Sequence, residues 1–103
     1  MLAHNVYFAL TDNSGTARQV LADSCRKYLT KHPGIVSFAV GTIEPTLTRL
    51  VNDQGFDVSL HILFDSVAAH DAYQDAPRHH EFVEKNKGNW KQVRVFDSNV
   101  EPS

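Results

Sequence analysis

Residues 55–64, GFDVSLHILF, place Phe56, Val58, Leu60, Ile62 and Phe64 at every second position, with Asp57, Ser59, His61 and Leu63 between them. A period of two belongs to a β-strand, whose successive side chains point to opposite faces. One face is apolar throughout and needs a layer packed on it. The other is mixed. Whatever else the chain does, it must cover one side of a sheet.

The other segments supply that cover. Residues 3–10, AHNVYFAL, alternate too: His4, Val6 and Phe8 share one face, and Asn5, Tyr7 and Ala9 the other. Residues 35–43 and 90–97 read as two further strands. After the first strand, Ala17, Val20, Leu21, Ser24 and Tyr28 fall at helical spacing. Thr16 with Gln19 forms a candidate capping box. Arg26, Lys27 and Lys31 stand near the C-terminal end, where the helix dipole favours cations. His32-Pro33-Gly34 stops the helix, and His32 reads as a surface turn residue. Ser66 can cap a second helix over 67–75, which Pro77 ends, and a short helix over 78–87 stops at Gly88. The order is β-α-β-β-α-β. It predicts an α+β, ferredoxin-like protomer: one four-stranded antiparallel sheet with helices on one face.

A length of 103 residues fits a single domain over 1–103, with its core in about 3–97. The net charge of -2 argues against a nucleic-acid partner, which needs a basic face. No apolar run is long enough for a membrane span. Cys25 is alone and has no intrachain partner. With an N-terminus unlike a signal peptide, this predicts a cytoplasmic location. The sheet face away from the helices would carry Asp57, Ser59, His61 and Leu63 beside Asn5, Tyr7 and Ala9. Such a face suits either solvent or a second copy of the chain, and periodicity does not choose.

The stretch HDAYQDAPRHHEF, residues 70–82, holds three of the six histidines. His79 and His80 are neighbours, and neighbouring helical side chains diverge by about 100°. They do not chelate one ion easily, and His70 and Asp71 lie across the Pro77 break. No metal site and no cofactor is expected. His79, Phe82 and Val83 share an apolar face by their i, i+3, i+4 spacing, which turns His80 to water. The Pro77 bend lets Tyr73 and His79 converge, with His4 on the helix side of the first strand. Two accounts fit. The three tips can line a small-molecule pocket and move protons, or His79 and Tyr73 can satisfy each other inside a core. Cys25 reads as a small buried hydrophobe, and Trp90 as a cap on the pocket or core.

His4, Pro33-Gly34, Gly55-Phe56-Asp57, Phe64-x-Ser66, Tyr73, Pro77, His79 and Phe96-Asp97, in this order and spacing, resemble the stress-responsive A/B barrel, or dimeric α/β-barrel, family. The resemblance implies a homodimer whose two sheets close a barrel. It implies a pocket between helices and sheet, which a plant polyketide cyclase of this family lines with a histidine and a tyrosine matching His79 and Tyr73. A first-strand histidine matching His4 also lines it. The cyclase's helix-one pocket tyrosine falls at Cys25, so its substrate does not carry over. Three functions follow as expectations. The first is a domain binding a small apolar or aromatic molecule among Val6, Phe8, Leu21, Cys25, Leu60, Ile62, Phe82 and Trp90. The second is a cofactor-free cyclase, isomerase or lyase with His79 as base, Tyr73 as orienting group and His4 as partner. The third is a stress-protective dimer with no ligand.

Overall fold

Strands β1 (Leu2–Leu10), β2 (Ile35–Thr42), β3 (Val58–Phe64) and β4 (Trp90–Asn99) form one antiparallel sheet in the order β2-β3-β1-β4. Helices α1 (Gly15–Leu29), α2 (Val67–Asp75) and α3 (Pro77–Asn86) lie on one face. This is the ferredoxin-like arrangement. It comes from a computed structural model that describes residues 1–103.

The alternation in β1 and β3 does what its period requires. Leu2, His4, Val6, Phe8 and Leu10 of β1 and Val58, Leu60, Ile62 and Phe64 of β3 are all buried, and the residues between them are half-buried. From α1, Leu21, Cys25, Tyr28 and Leu29 close the core above them. Helix α1 lies over β2 and β3, and α2 over β3. The inner side chains of edge strand β4 are left largely uncovered: Val93 is 37% exposed and Val95 50%.

Helix α3 is fastened to α1 at both ends. Arg78 donates to the carbonyls of Lys27 and Thr30, at 2.7 and 3.0 Å, which satisfies groups that a helix C-terminus leaves bare. Asn86 donates to Ser24 Oγ at 2.7 Å. Pro77 ends α2 and opens α3 at its first position, where a missing N–H costs nothing. Gly34 has φ +89°, and a Cβ there would stand 2.4 Å from the Cβ of Ala69. Only glycine joins α1 to β2 this close to α2.

Several local expectations are corrected. Helix α1 is capped by Ser14, whose Oγ accepts from the Ala17 N–H, so Thr16 lies inside the first turn. Strand β3 begins at Val58, three residues after the alternation does. Before it the chain crosses the end of β1, and the two faces exchange. Phe56 joins the outer face against Tyr7, with ring centroids 5.0 Å apart. Asp57 turns inward, and its carboxylate accepts from the Leu10 N–H at 2.7 Å and from Arg18 at 2.8 Å. Strand ends leave amides without ladder partners, and Asp57 answers one of them. His32 is not a surface residue. It is buried, with Nε2 2.8 Å from the Tyr28 carbonyl.

The outer face carries an aromatic group of Tyr7, Phe56 and Phe96, the last 54% exposed. His61 lies on the same face, with its ring nitrogens 2.8 Å from Asn5 Oδ1 and 3.0 Å from Ser59 Oγ.

Candidate functional site

The helices lie toward β2 and β3, so a cavity of about 450 Å³ opens over β1 and β4, walled by α2 and α3. Its lining is mostly apolar and contains no Lys or Arg. Val6, Phe8, Leu60, Phe82 and Trp90 line it, as do His4, Tyr73 and His79. Leu21, Cys25 and Ile62 do not. They lie in the solid core where α1 fills the sheet, away from the open half. Leu29, Gln74, Val83, Val93, Val95, His70 and Asp97 line the cavity without having been expected there. Alternation along β4 puts Val93, Val95 and Asp97 on one face. Which face that is depends on the β1–β4 register, Val6 opposite Val95 and His4 opposite Asp97, and no local pattern encodes it.

Tyr73 is the hub. Its ring is buried, and the rings of His79, His32, His4 and His70 surround it at centroid distances of 4.9, 5.1, 5.9 and 6.4 Å. Burial, then the nearby Cys25 sulfur, raises the phenol above its ordinary pKa, so it stays protonated. Cys25 is itself pushed up to about 12, chiefly by burial, and is an inert thiol.

The histidines have different surroundings. His4 is almost fully buried, with Nδ1 2.5 Å from Asp97 Oδ1, and the Asp97 side chain is 40% exposed. Burial lowers the His4 pKa, against the raising effect of the carboxylate. His70 Nδ1 lies 3.1 Å from Asp71 Oδ1, and its ring centroid is 4.8 Å from that of His4. His79 is pushed down to about 4, first by burial and then by the neighbouring histidines. Its Nδ1 is buried and has no hydrogen-bond partner, so His79 and Tyr73 do not satisfy that nitrogen between them. Trp90 Nε1 is buried and unpartnered as well. Each such atom costs about 1–3 kcal/mol if it stays dry. His80 is exposed.

A family model described as the Stress responsive A/B Barrel Domain matches residues 2–100. No curated protein matches the chain. Among solved structures, a protein from Arabidopsis thaliana is 19% identical with a TM-score of 0.81, over 100% of this chain and 98% of that one. A dimeric ferredoxin-like protein of unknown function from Thermobifida fusca is 15% identical with a TM-score of 0.80, over 96% and 90%. A hydroxynitrile lyase from Passiflora edulis is 18% identical with a TM-score of 0.76, over 99% and 94%. These structures share the fold. No helix is long and apolar enough to cross a membrane. With the sheet order, the helical face and the family match over nearly its whole length, the chain belongs to the stress-responsive A/B barrel domain family.

Proposed function

We propose that the protein works as a homodimer, each protomer holding a small, largely apolar or aromatic molecule with a polar group in the cavity over β1 and β4. The observation that carries this is the pair of unpartnered buried atoms, His79 Nδ1 and Trp90 Nε1, on residues that line an apolar cavity. A ligand oxygen would answer them, and the aromatic walls would hold its body. The tier of Tyr7, Phe56 and Phe96 on the other face favours a partner sheet there, and the Thermobifida relative is described as dimeric. An open cavity weighs against a purely structural dimer.

A second reading has its own support. His4 and Asp97 pair a buried imidazole with a half-exposed carboxylate at the cavity wall, the form of an oriented general base. His79, held near 4, is the weaker base and serves better as a hydrogen-bonding group. An acid–base lyase or isomerase would then use His4 as base, Asp97 to orient it and Tyr73 as a proton donor. The Passiflora relative is a lyase on the same fold.

The test is a thermal-shift screen of small aromatic and polyketide-like acids on wild type and His79→Ala, both freed of metal. A ligand at a hundred times its Kd adds about 2.7 kcal/mol, a shift of roughly ten degrees for a chain this size. Hits that weaken in the variant support the reading. A panel without hits, with the variant merely less stable, would turn the choice to the structural dimer.

A further inference from the structure

We propose that His4, His70 and Asp97 form a binding site for one divalent transition-metal ion of the zinc type, with its open coordination positions facing the cavity. Each residue brings one ligand atom, and the three atoms lie within 4.8 Å of one another. They come from three different elements, β1, α2 and β4. Zinc holds nitrogen and oxygen ligands at about 2.0–2.2 Å, so in a tetrahedral shell the ligand atoms stand about 3–4 Å apart. Small side-chain adjustments bring this trio to that spacing.

The surroundings fit a cation. His4 is almost fully buried on β1 and held against Asp97, so its ring is already fixed in place beside the one anionic ligand. The Asp71 carboxylate stands at His70 Nδ1, while the Gln74 amide, with Nε2 3.5 Å from His70 Nε2, faces the lone pair an ion would take and has to turn aside for it. A histidine that donates one nitrogen's proton to a carboxylate offers the other nitrogen as a ligand, the usual outer support of a metal-bound imidazole. No Lys or Arg lines the cavity to oppose the charge. Asp97 supplies the one anionic ligand and is the most exposed of the three, at the side from which an ion would enter.

Binding changes one bond inside the site. The hydrogen bond between His4 Nδ1 and Asp97 Oδ1 gives way, the imidazole proton moves to Nε2, and the ion takes the Nδ1 lone pair and the carboxylate. Two histidines and a carboxylate leave one or more positions open, as in catalytic rather than structural zinc sites. If the cavity holds a small molecule as proposed above, its carboxylate, phenolate or carbonyl oxygen is the chemical class that would complete the shell. The metal site itself does not depend on that reading, and the ligand screen on metal-free protein keeps the two failures apart.

The experiment is titration of tag-free, chelator-treated protein with Co²⁺, read by visible absorption, followed by displacement with Zn²⁺. The expected result is one ion per chain. His70→Ala and Asp97→Asn should each weaken binding by about tenfold or more, while His80→Ala leaves it unchanged. Ring-nitrogen NMR of the wild type under Zn²⁺ gives a second readout that needs no variant: His4 and His70 should shift and His61 should not. Binding that is absent, that survives both His70→Ala and Asp97→Asn, or that is lost in His80→Ala would overturn the site. So would Zn²⁺ shifts confined to the exposed histidines.

Discussion

His4 and Asp97 face each other across the β1–β4 ladder and meet at 2.5 Å, one side chain buried and the other at the mouth of the cavity. The buried imidazole is thereby tied to a group that solvent and ligands can reach. Asp97→Asn removes the charge that raises the His4 pKa, so His4 should titrate lower than in wild type, followed by NMR in metal-free protein. Losing one charge-assisted hydrogen bond to a half-exposed partner should cost about 1 kcal/mol in urea unfolding. A His4 titration that does not move would disprove the pairing.

Asp57→Ala should be the more damaging change. It strips partners from both the Leu10 N–H and Arg18, at a side chain whose residue is only 7% exposed. Breaking a buried ion pair from one side costs about 3–5 kcal/mol, and the partly exposed Arg18 puts this case at the lower end, about 3 kcal/mol. Arg18→Ala should cost less, because the carboxylate keeps the Leu10 amide. Equal losses for the two variants in chemical denaturation would count against this ranking.

Acid should destabilise the fold through His79. Its folded-state pKa, about 4, lies below its ordinary 6.5. The unfolded chain therefore binds the proton more readily, and stability rises with pH between those values. The contribution is complete above about pH 6.5 and is lost as the pH falls toward about 4. Melting temperatures across that window should fall for wild type and fall less steeply for His79→Gln. Parallel curves would contradict a His79 held neutral in the fold.

Gly34→Ala should lower stability by about 2–4 kcal/mol, from the left-handed backbone and the contact with Ala69 together. Pairing it with Ala69→Gly relieves the contact alone. The double variant should recover part of the loss in calorimetry and keep the part due to the backbone.

Phe96→Asp places a charge in the aromatic tier of the outer face while leaving the core untouched. Sedimentation should show wild type as a dimer at micromolar concentration and the variant as a monomer with its helical circular dichroism intact. A monomeric wild type would refute the proposed assembly.

What could be read from the residues divides along physical lines. The strands and helices are written in short-range periodicity, so Val58, Leu60, Ile62 and Phe64 turn inward as their spacing demands. The separation of His79 from His80 follows from helix phase in the same way. The inward turn of Asp57 escapes such reasoning, because the amide it serves lies 47 residues away in sequence. His70 and Asp97 escape it too. Neither carries a local sign of facing His4, and only the ladder between β1 and β4 and the packing of α2 on the sheet bring them together. Leu21, Cys25 and Ile62 are apolar and inward as expected, yet periodicity cannot tell a packed half of a sheet from an open one.

The displacement of the helices toward β2 and β3 has a further consequence for a dimer joined through the outer faces. Each cavity then opens away from the partner, with two sheets between one occupant and the other. Stacked sheets stand about 10 Å apart, and neither protomer lends a side chain to its neighbour's cavity. Such a dimer behaves as two independent receptors on one rigid frame. Titration of one ligand should follow a single hyperbola, and a heterodimer with one disabled cavity should keep half the capacity at full affinity.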